Sequence, residues 1–522
     1  MNIEISEEMI KNELEVEKPF LSLTNNLLVL QRPTRNKIKK VMITQPNYSQ
    51  YGKRSWKMPP YPLALLNACV KKYFDTEIFD PDYNSLNNEE IVKKLNLIKP
   101  DVVCIGTIST EFYECTTNMT QLIKETLPSC LIIEGGVLPT TALKVAMKDK
   151  NVDYWIIGEG EINFPQLLGQ IDSNTPNFSN IDGLAYWDEN GSAKINPKSG
   201  FLQDLDSIPF PDYGKLNYLN YGNHKIKFGQ GVCARAFPYT TTISSRGCPF
   251  KCSFCAAPAV SGDKIRNRSA ENVLKEIDYF YENGIREVIF LDDNFFVDRL
   301  RAIKILKGII QRKKNGRDDF VWKCCNLMIT LLNEEIIDLM LESGMYQMTV
   351  SIESGNESVL KDLIGKPMPL EKAMHLCQYA HKKGMEIIVN FVIGHPYETW
   401  NQIQDTVEFA GKVACDLVSF HIATPLPNTK LYEICVKEGF IKEDFDENGK
   451  IDGYCLGTIN TDTWSAEDLM ILRAYEWDRI NFRTQERRER IAKIQGISME
   501  ELEKWRIETR KKLGVRVINS EF

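Results

Sequence analysis

The chain has 522 residues, of which 43% are hydrophobic and 26% are charged, and its formal net charge at pH 7 is −7. This length is too great for one hydrophobic core, so two or three domains are expected. The acidic balance argues against nucleic-acid binding, which normally needs a basic surface. No secretory signal and no long apolar run are visible, which predicts a cytoplasmic protein without a membrane span. Its 14 cysteines are then expected to be reduced thiols.

Residues 1–36 have little pattern, and from Lys40 short apolar strands alternate with helical stretches. This alternation predicts a doubly wound parallel sheet of the Rossmann or flavodoxin type over residues 37–175. In such a sheet ligands bind beyond the carboxyl ends of the strands. The loops expected at that edge are 45–60, which contains Trp56, 107–111, and the Gly135-Gly136 pair. The predicted strands are 41–44, 77–79, 102–105, 131–133 and 154–157.

Residues 176–235 interrupt this rhythm and are predicted to form a linker with a hairpin, because Asn190-Gly191 is a strong hairpin signal. Strand–helix alternation then resumes over residues 236–440. Six such units can curl into a partial (β/α)6 barrel, an open relative of the eight-unit TIM barrel. Residues 441–522 are predicted to form a helical, charge-rich region. The predicted barrel strands are 240–244, 287–291, 321–324, 348–352, 387–393 and 418–422.

Three cysteines with CxxxCxxC spacing, Cys248, Cys252 and Cys255, follow directly after the first predicted barrel strand. Three thiolates on a short loop can bind three irons of a [4Fe–4S] cluster, whereas closed electron-transfer clusters use four cysteines. The fourth iron then keeps an open coordination position, as catalytic metal sites do. Two alternatives are a zinc site, which would need four ligands, and three cysteines that only pack in a loop.

The motif and the barrel after it resemble the radical S-adenosylmethionine (SAM) superfamily. Over roughly residues 38–440 the arrangement is similar to the class B radical SAM methyltransferases, which have an N-terminal cobalamin-binding domain. This resemblance implies an enzyme with a [4Fe–4S] cluster, SAM and cobalamin as cofactors. It also implies a small-molecule substrate and an external reductant such as flavodoxin or ferredoxin.

The ends of the barrel strands contain the residues for which the resemblance implies contact with SAM. Asp292, Asp293 and Glu353 are charges that are unfavourable near a barrel core unless they meet a cation or hydrogen-bond donors. The ammonium, sulfonium and ribose hydroxyls of SAM would be such partners. Capping of the following helices is the alternative. The implied SAM-binding residues are Phe254, Asp292, Asp293, Ser351, Glu353, Asn390 and Gly394.

Cobalamin is implied by the same resemblance, but the Asp-x-His-x-x-Gly motif of cobalamin-dependent mutases is absent. All five histidines lie outside the first α/β domain, so cobalamin would bind without a histidine ligand, as is common in the resembled enzymes. Val137-Leu138-Pro139 also stands where those enzymes have a histidine–proline pair. A domain that has lost its ligand, or that binds a nucleotide, is the alternative. The implied cobalamin contacts are Thr107, Ser109, Gly135, Gly136, Gly158 and Glu159.

Three further features are open to more than one interpretation. Cys324-Cys325, Cys233 and Cys455 are candidates for an extra catalytic cysteine, although small core side chains are the favoured interpretation. Residues 483–516 contain 11 basic and 6 acidic residues, which could attract an anion but more simply form a solvated helical face. The aromatic segment 475–482 is predicted to lie over the barrel mouth as a lid.

The leading hypothesis is a cobalamin-dependent radical SAM methyltransferase that acts on an unactivated carbon or phosphorus centre of a small metabolite or natural-product precursor. The resemblance implies that it would use a 5′-deoxyadenosyl radical and methylcobalamin. The alternative is oxidative cyclisation or ring rearrangement without methyl transfer. Methylthiolation of tRNA and a non-enzymatic cobalamin sensor or carrier are less favoured. No individual catalytic residue is predicted.

Overall fold

The computed structural model of the chain describes residues 37–51, 57–221, 234–441 and 456–512. The predicted N-terminal extension, Trp56, Cys233 and Cys455 lie outside these residues. Within them the chain forms two large sheets, which follow one another along the sequence, and a C-terminal group of helices.

The first sheet has the strand order β2-β1-β3-β4-β5-β6-β7 within the described residues, and β1 to β5 are parallel. The order 2-1-3-4-5 is that of flavodoxin-like sheets, in which the ligand crevice opens between β1 and β3. The strands are β1 (Lys40–Thr44), β2 (Asp75–Phe79), β3 (Val102–Thr107), β4 (Leu131–Gly136), β5 (Tyr154–Ile156), β6 (Leu184–Trp187) and β7 (Ala193–Ile195).

Helices cover both faces of this sheet, so its strands are apolar at successive positions. Val41 and Ile43 pack in the core on one face, and Met42 packs in the core on the other. Continuous apolar runs of this kind are typical of parallel strands that are buried on both sides. The helices are α1 (Tyr61–Val70), α2 (Asn88–Ile98), α3 (Tyr113–Thr126), α4 (Val137–Thr141), α5 (Leu143–Ala146) and α6 (Gly160–Ile171).

The predicted hairpin joins the first sheet as an antiparallel extension. Strand β6 pairs with β5 through Tyr154 and Tyr186, and β7 pairs with β6. The turn contains Gly191 at φ +74°, a conformation that glycine adopts without strain, and the Asp188 carboxylate accepts the backbone N–H groups of Asn190 and Ser192. The segment predicted as a linker therefore contributes two strands to the first sheet.

The second sheet is entirely parallel, with the order β8-β11-β12-β13-β14-β15 in the described residues. Consecutive strands are neighbours and helices lie between them, which is the arrangement of a partial barrel. Its strands are β8 (Tyr239–Thr242), β11 (Glu287–Phe290), β12 (Val321–Leu327), β13 (Met345–Glu353), β14 (Glu386–Ile393) and β15 (Leu417–Ile422), and a short antiparallel pair is formed by β9 (Ser245–Arg246) and β10 (Arg266–Asn267).

The helices of this domain cover the outer face of the curved sheet, where the largest hydrophobic core lies. They are α7 (Ala257–Ser261), α8 (Ala270–Glu282), α9 (Arg299–Lys314), α10 (Glu334–Glu342), α11 (Leu370–Lys382), α12 (Trp400–Lys412) and α13 (Lys430–Lys437).

The outer edge of β15 is covered by a helix, α14 (Ala466–Asn481). The Asn481 side-chain amide donates to the carbonyl of Val418 and accepts its N–H, both at 2.8 Å, and Arg473 Nε donates to the carbonyl of Phe420 at 2.7 Å. An uncovered edge strand exposes such groups to other chains. The prediction that 475–482 forms a lid is therefore wrong: this segment lies along the edge strand, because the unpaired edge needs a partner.

Two more helices complete the C-terminal region, α15 (Gln485–Gln495) and α16 (Met499–Lys512). Ile491 and Leu502 are buried between them and the barrel, and the rings of Trp477 and Trp505 are 4.4 Å apart. The predicted helical character of this region agrees with these elements. In the part of the chain that the structure describes, no helix is long and apolar enough to cross a membrane.

Candidate active site

The loop with the three cysteines leaves the barrel after β9 and is held by backbone hydrogen bonds on both sides. Cys248 donates to the carbonyl of Gly262 at 3.2 Å, Ser253 donates to that of Ile364 at 2.8 Å, and the Ser253 carbonyl accepts the N–H of Leu431 at 2.8 Å. Gly247 has φ +88°, and a Cβ there would collide with the carbonyl oxygen of Lys264. Only glycine can therefore start this loop so close to the neighbouring chain segment.

The three thiols lie together and are partly exposed. Burial raises the pKa of Cys252 to about 12 and that of Cys255 to about 11, and each of these thiols is also influenced by the charge of Cys248. The N–H of Ala257 donates to Cys255 Sγ at 3.4 Å. Such N–H···S bonds are among the interactions with which proteins adjust iron–sulfur clusters.

A buried lysine stands beside this group of thiols. Lys366 Nζ is 2.8 Å from Glu353 Oε1 and donates to the carbonyl of Ser351 at 2.7 Å. Burial acts to lower the pKa of Lys366, but the Glu353 carboxylate and the Cys252 thiol outweigh it, so that the pKa is raised. Lys366 is therefore positively charged at neutral pH, and it offsets the negative charge that bound thiolates would carry.

This set of donors fits a cluster with three protein ligands. Among the described residues, no three His, Cys, Asp or Glu side chains surround a single point as the ligands of one metal ion would. A zinc site requires four ligands around one ion, whereas the motif supplies three cysteines. In a cubane cluster each cysteine binds a different iron, so three thiols that do not share one ion are compatible with it.

The two predicted aspartates after β11 have different environments. Asp292 is fully buried, and its carboxylate accepts the N–H and hydroxyl of Ser244 at 3.0 and 2.6 Å and the Ser245 hydroxyl at 2.6 Å. Asp293 accepts the N–H of Gly247 at 3.0 Å, and burial raises its pKa. Asp292 therefore positions the start of the cysteine loop, whereas Asp293 faces a cavity beside it.

A second polar group lies at the carboxyl end of β14. Glu398 Oε2 accepts the N–H groups of Gly394 at 2.7 Å and His395 at 3.0 Å, and burial raises the pKa of this carboxyl to about 7. The His395 ring is 5.7 Å from the ring of Phe254 in the cysteine loop. His395 is only 1% exposed, and neither ring nitrogen has a hydrogen-bond partner within the described residues. Burial lowers its pKa to about 4, so the ring is neutral.

The two remaining predicted SAM contacts in the barrel, Ser351 and Asn390, are partners in the register of β13 and β14. Both side chains are partly exposed, and they precede the strand ends where Glu353 and Gly394 lie. Phe254, Ser351, Glu353, Asn390 and Gly394 are thus grouped at the carboxyl ends of β13 and β14, next to the cysteine loop. Asp292 and Asp293 lie on the other side of the loop, at the end of β11.

On the first domain, two glycines with positive φ face the cysteine loop. Gly136 has φ +94°, and a Cβ there would lie 2.5 Å from the carbonyl oxygen of Thr107. Gly158 has φ +88°, and Thr140 joins the two turns because its hydroxyl donates to the Gly136 carbonyl at 2.6 Å and accepts the Gly158 N–H at 2.8 Å. The absence of a Cβ lets the Thr107 carbonyl approach Gly136 and the Lys198 side chain approach Gly158. Gly135 precedes this turn.

The other predicted cobalamin contacts have structural partners. The Thr107 hydroxyl is buried and lies 3.0 Å from that of Thr116 and 3.3 Å from Glu134 Oε1. The Ser109 hydroxyl accepts the N–H of Glu111 at the start of a short 3₁₀ turn. The Thr107 side chain is therefore engaged within the protein next to the Gly136 turn. Ser109 is partly exposed at the edge of the sheet.

Glu159 pairs with the barrel instead of standing free. Its carboxylate accepts hydrogen bonds from Arg246 at 2.8 Å and from Arg266 at 2.9 and 3.0 Å, and Arg246 also pairs with Glu161. These arginines outweigh the effect of burial, and the pKa of Glu159 is lowered. A carboxylate held in this way by two guanidinium groups connects the domains, a role that the sequence alone did not reveal.

A cavity of about 180 Å³ lies between the two domains and brings several predicted residues together. Typical small-molecule pockets have about 300–1,000 Å³, so this cavity can hold only part of a corrinoid. It is lined by Gly136, Val137, Thr140, Gly158 and Glu159 of the first domain and by Ile243, Ser245, Arg246, Val260, Ser261, Leu291 and Asp293 of the barrel.

Sequence reasoning missed three residues of this site. Arg246, Arg266 and Lys366 supply its buried positive charges, and none of them was predicted to have a role. A signal existed only for Arg246, which directly precedes Gly247 and Cys248. The pairs that these residues form join positions that are distant in the sequence, except for Lys366 and Glu353.

Comparison with known proteins identifies both domains. Residues 52–168 match the B12 binding domain, and residues 242–410 match the Radical SAM superfamily. An uncharacterized methyltransferase of Pyrococcus horikoshii is 30% identical over 80% of this chain and 84% of that protein. The cytidylyl-2-hydroxyethylphosphonate methyltransferase of Streptomyces wedmorensis is 28% identical over 79% of this chain and 82% of that protein. The anaerobic magnesium-protoporphyrin IX monomethyl ester cyclase of Rubrivivax gelatinosus is 25% identical over 76% and 69%, respectively.

The fold is shared with a solved structure, that of the radical SAM methyltransferase TsrM of Kitasatospora setae with cobalamin and a [4Fe–4S] cluster bound. The TM-score is 0.64 over 77% of this chain and 78% of that chain, at 17% sequence identity. The predicted architecture, a doubly wound domain followed by a partial barrel, is confirmed. The chain belongs to the radical SAM enzymes that carry an N-terminal cobalamin-binding domain, and its cofactors are a [4Fe–4S] cluster, SAM and cobalamin.

Proposed function

We propose that this enzyme transfers a methyl group to an unactivated carbon or phosphorus centre of a small molecule. The observation that carries the proposal is the cavity between the domains, because its wall combines the glycine turns of the cobalamin-binding domain with Asp293 beside the cysteine loop. Ligands commonly bind at such domain interfaces. Two of the relatives are methyltransferases by name, and one is named for a phosphonate substrate.

Each predicted site residue receives a role in this proposal. Cys248, Cys252 and Cys255 bind the cluster, with the charged Lys366 beside them. The implied cobalamin contacts surround the carboxyl edge of β3 to β5, with Glu159 as a positioning residue that aligns this edge with the barrel. The residues that contact SAM are Phe254, Asp293, Ser351, Glu353, Asn390 and Gly394, with Asp292 holding the loop behind them.

When bound, a reduced cluster held by Cys248, Cys252 and Cys255 would supply the electron for radical chemistry on SAM, and a corrinoid at the carboxyl edge of β3 to β5 would supply the methyl group. The protein positions these groups and keeps water away. The loop 57–60 contributes to this enclosure, since the carbonyls of Lys57 and Pro59 accept hydrogen bonds from Tyr239 at 3.2 Å and Thr241 at 3.3 Å on β8. An external one-electron donor, flavodoxin or ferredoxin, completes the reaction.

The test begins with anaerobic reconstitution with iron, sulfide and hydroxocobalamin. We expect about four irons per chain and a bound corrinoid spectrum. Cys252→Ala should lose the iron and keep the corrinoid, and Cys325→Ala, a substitution of a thiol outside the motif, should keep both. If Cys252→Ala kept its iron as well as its corrinoid, the assignment of the cluster ligands would be contradicted.

The reaction itself is tested by incubating the enzyme with a reductant and with SAM that carries a deuterated methyl group. A methyltransferase should form both S-adenosylhomocysteine and 5′-deoxyadenosine, and the label should appear in a product of an extract of small metabolites. Formation of 5′-deoxyadenosine without S-adenosylhomocysteine would reject methyl transfer.

That second result would instead favour oxidative cyclisation or ring rearrangement. The cyclase relative supports this candidate, because it matches this chain over both domains at an identity close to that of the phosphonate methyltransferase. A product with no added methyl group, lighter than its precursor after oxidative cyclisation or equal to it in mass after ring rearrangement, would identify this candidate.

A further inference from the structure

A second cavity, of about 400 Å³, lies at the opposite end of the barrel from the cysteine loop. Its wall contains the segment 410–416, which enters β15, together with His381 of α11 and the junction between α14 and α15. Asp416 lies at this end of the barrel, because its carboxylate accepts the N–H of Ile387, the second residue of β14, at 2.7 Å. The cavity is therefore separate from the site described above.

The charged residues of this wall are mainly basic. Arg490 forms an ion pair with Asp416 Oδ1, and His381 Nε2 lies 3.4 Å from the same oxygen. Lys412 pairs with Glu408, one helical turn away. The basic residues of the wall are Lys412, Arg483, Arg487 and Arg490, with His381 in addition, and its acidic residues are Asp416 and Glu486.

Two guanidinium groups keep free donors. Arg487 donates through Nε to the carbonyl of Asn481 at 3.4 Å and through Nη1 to that of Cys415 at 3.3 Å, which orients the group. Its Nη2 is buried and has no hydrogen-bond partner among the described residues. Arg483 is exposed and forms no hydrogen bond or ion pair in the described part of the chain. A buried donor without a partner is unfavourable, so Nη2 indicates a missing acceptor.

The backbone adds to this positive character. Helix α15 begins at the cavity, and its cap residue Thr484 accepts the N–H of Arg487 at 3.3 Å. The first turn of a helix carries a partial positive charge that favours anions. The basic excess of 483–516 is therefore not spread evenly over a solvated face, because three of its arginines meet at one cavity.

We propose that this cavity binds a small, multiply charged anion of the diphosphate class. Planar guanidinium groups bind phosphate oxygens through paired hydrogen bonds, and two groups with free donors fit two phosphate groups. The volume suits a diphosphate or a nucleotide's diphosphate portion better than a single halide or a folded partner. Asp416, engaged by Arg490 and His381, limits the site to the side of Arg483 and Arg487.

The experiment is isothermal titration of the reconstituted enzyme with inorganic pyrophosphate at fixed ionic strength, with sodium chloride as the comparison. We expect saturable binding of one pyrophosphate per chain. Arg483→Gln and Arg487→Gln should each weaken it by about tenfold, because each removes a charged hydrogen-bond donor. Arg479→Gln is the matched control, since Arg479 lies on the neighbouring turn of α14 and pairs with Glu476.

Arg483 is exposed and supports no other residue by a hydrogen bond, so its variant tests binding even where Arg487→Gln disturbs folding. Heats that do not saturate, or that chloride reproduces, would overturn the proposal. Equal affinities of Arg483→Gln, Arg479→Gln and the wild type would overturn it as well. The result does not depend on methyl transfer, because pyrophosphate binding is measured without substrate.

Discussion

Glu159 of the cobalamin-binding domain and Arg266 of the barrel form a two-point pair, with Nη1 3.0 Å from Oε2 and Nη2 2.9 Å from Oε1. Arg246 joins the same carboxylate and directly precedes the cysteine loop. The B12-binding domain is thus held, through one carboxylate, to the chain segment that leads into the three cysteines.

Replacement of Glu159 by glutamine should loosen this connection. The amide keeps the shape but leaves Arg266 without its charge partner and Arg246 with Glu161 alone, which should lower the free energy of unfolding by about 2 kcal/mol. Urea unfolding monitored by tryptophan fluorescence measures the change. Glu189→Gln, at an exposed position of the β6–β7 turn, is the control. Equal stability of the two variants would show that the pair contributes nothing.

Gly136→Ala should weaken corrinoid binding. Its φ of +94° disfavours any other residue, and the added methyl would lie 2.5 Å from the carbonyl oxygen of Thr107, so the turn must move. Gly191→Ala is a matched control, because φ is also positive there but no atom lies within 4 Å of the added methyl. We expect affinity for hydroxocobalamin to fall by more than about tenfold in the first variant and to stay unchanged in the second. Unchanged affinity in both would remove Gly136 from the site.

Glu134 predicts a specific pH dependence of stability. Burial, with the nearby Asp149, raises its pKa from 4.5 to about 8, although Thr107 and Trp155 donate hydrogen bonds to it. Below pH 4.5 the group is protonated in both the folded and the unfolded chain. Between 4.5 and about 8 only the folded chain keeps the proton, so the folded state loses stability as pH rises, and above about 8 this loss is complete.

Glu134→Gln cannot ionise, and its amide can keep an acceptor for Trp155. Its free energy of unfolding should therefore rise relative to that of the wild type between about pH 5 and about pH 9. Urea titrations at the two pH values measure this difference, with Glu189→Gln as the control for a surface carboxylate. Parallel pH profiles of wild type and Glu134→Gln would contradict the prediction.

His395→Leu should lower the affinity for SAM without lowering the stability of the fold. The leucine removes two buried nitrogens that lack partners within the described residues, so the SAM-free protein should unfold at an equal or higher temperature. If a ring nitrogen meets SAM near Phe254, affinity for SAM should fall by about tenfold, measured by equilibrium dialysis. His375→Leu, at an exposed position on α11, should leave this affinity unchanged. Wild-type affinity in the His395 variant would exclude the contact.

Much of the fold follows from local patterns. Strands buried on both faces leave apolar runs, and so β1, β3, β14 and β15 lie within two residues of their predicted bounds. The addition of the β6–β7 hairpin to the first sheet did not follow, because pairing with β5 is a contact between distant segments. The position of α14 depends on the free edge of β15, which exists only once the barrel has formed.

The sequence located the cysteine motif and the polar strand ends, whose roles stay predictions, but it did not reveal the ion pairs around them. The folded chain decides which partner lies beside a charge at a strand end. The sequence does not give the distance between the two groups. Asp292 and Asp293 are adjacent in the sequence after the same strand. The Asp292 carboxylate nevertheless accepts hydrogen bonds from two serine hydroxyls, whereas Asp293 faces the cavity. Glu159 was expected to contact cobalamin, and the structure engages it with Arg246 and Arg266.

The use of α14 as the cover of β15 has a consequence for synthesis of the chain. A polypeptide emerging from the ribosome completes all six barrel strands by Ile422, but Asn481, which satisfies the edge of the last strand, is made later. During that interval the nascent barrel presents an open strand to its neighbours on the polysome. Chains that terminate early, before α14, would therefore associate through this edge, and the C-terminal helices act as the segment that ends this vulnerable period.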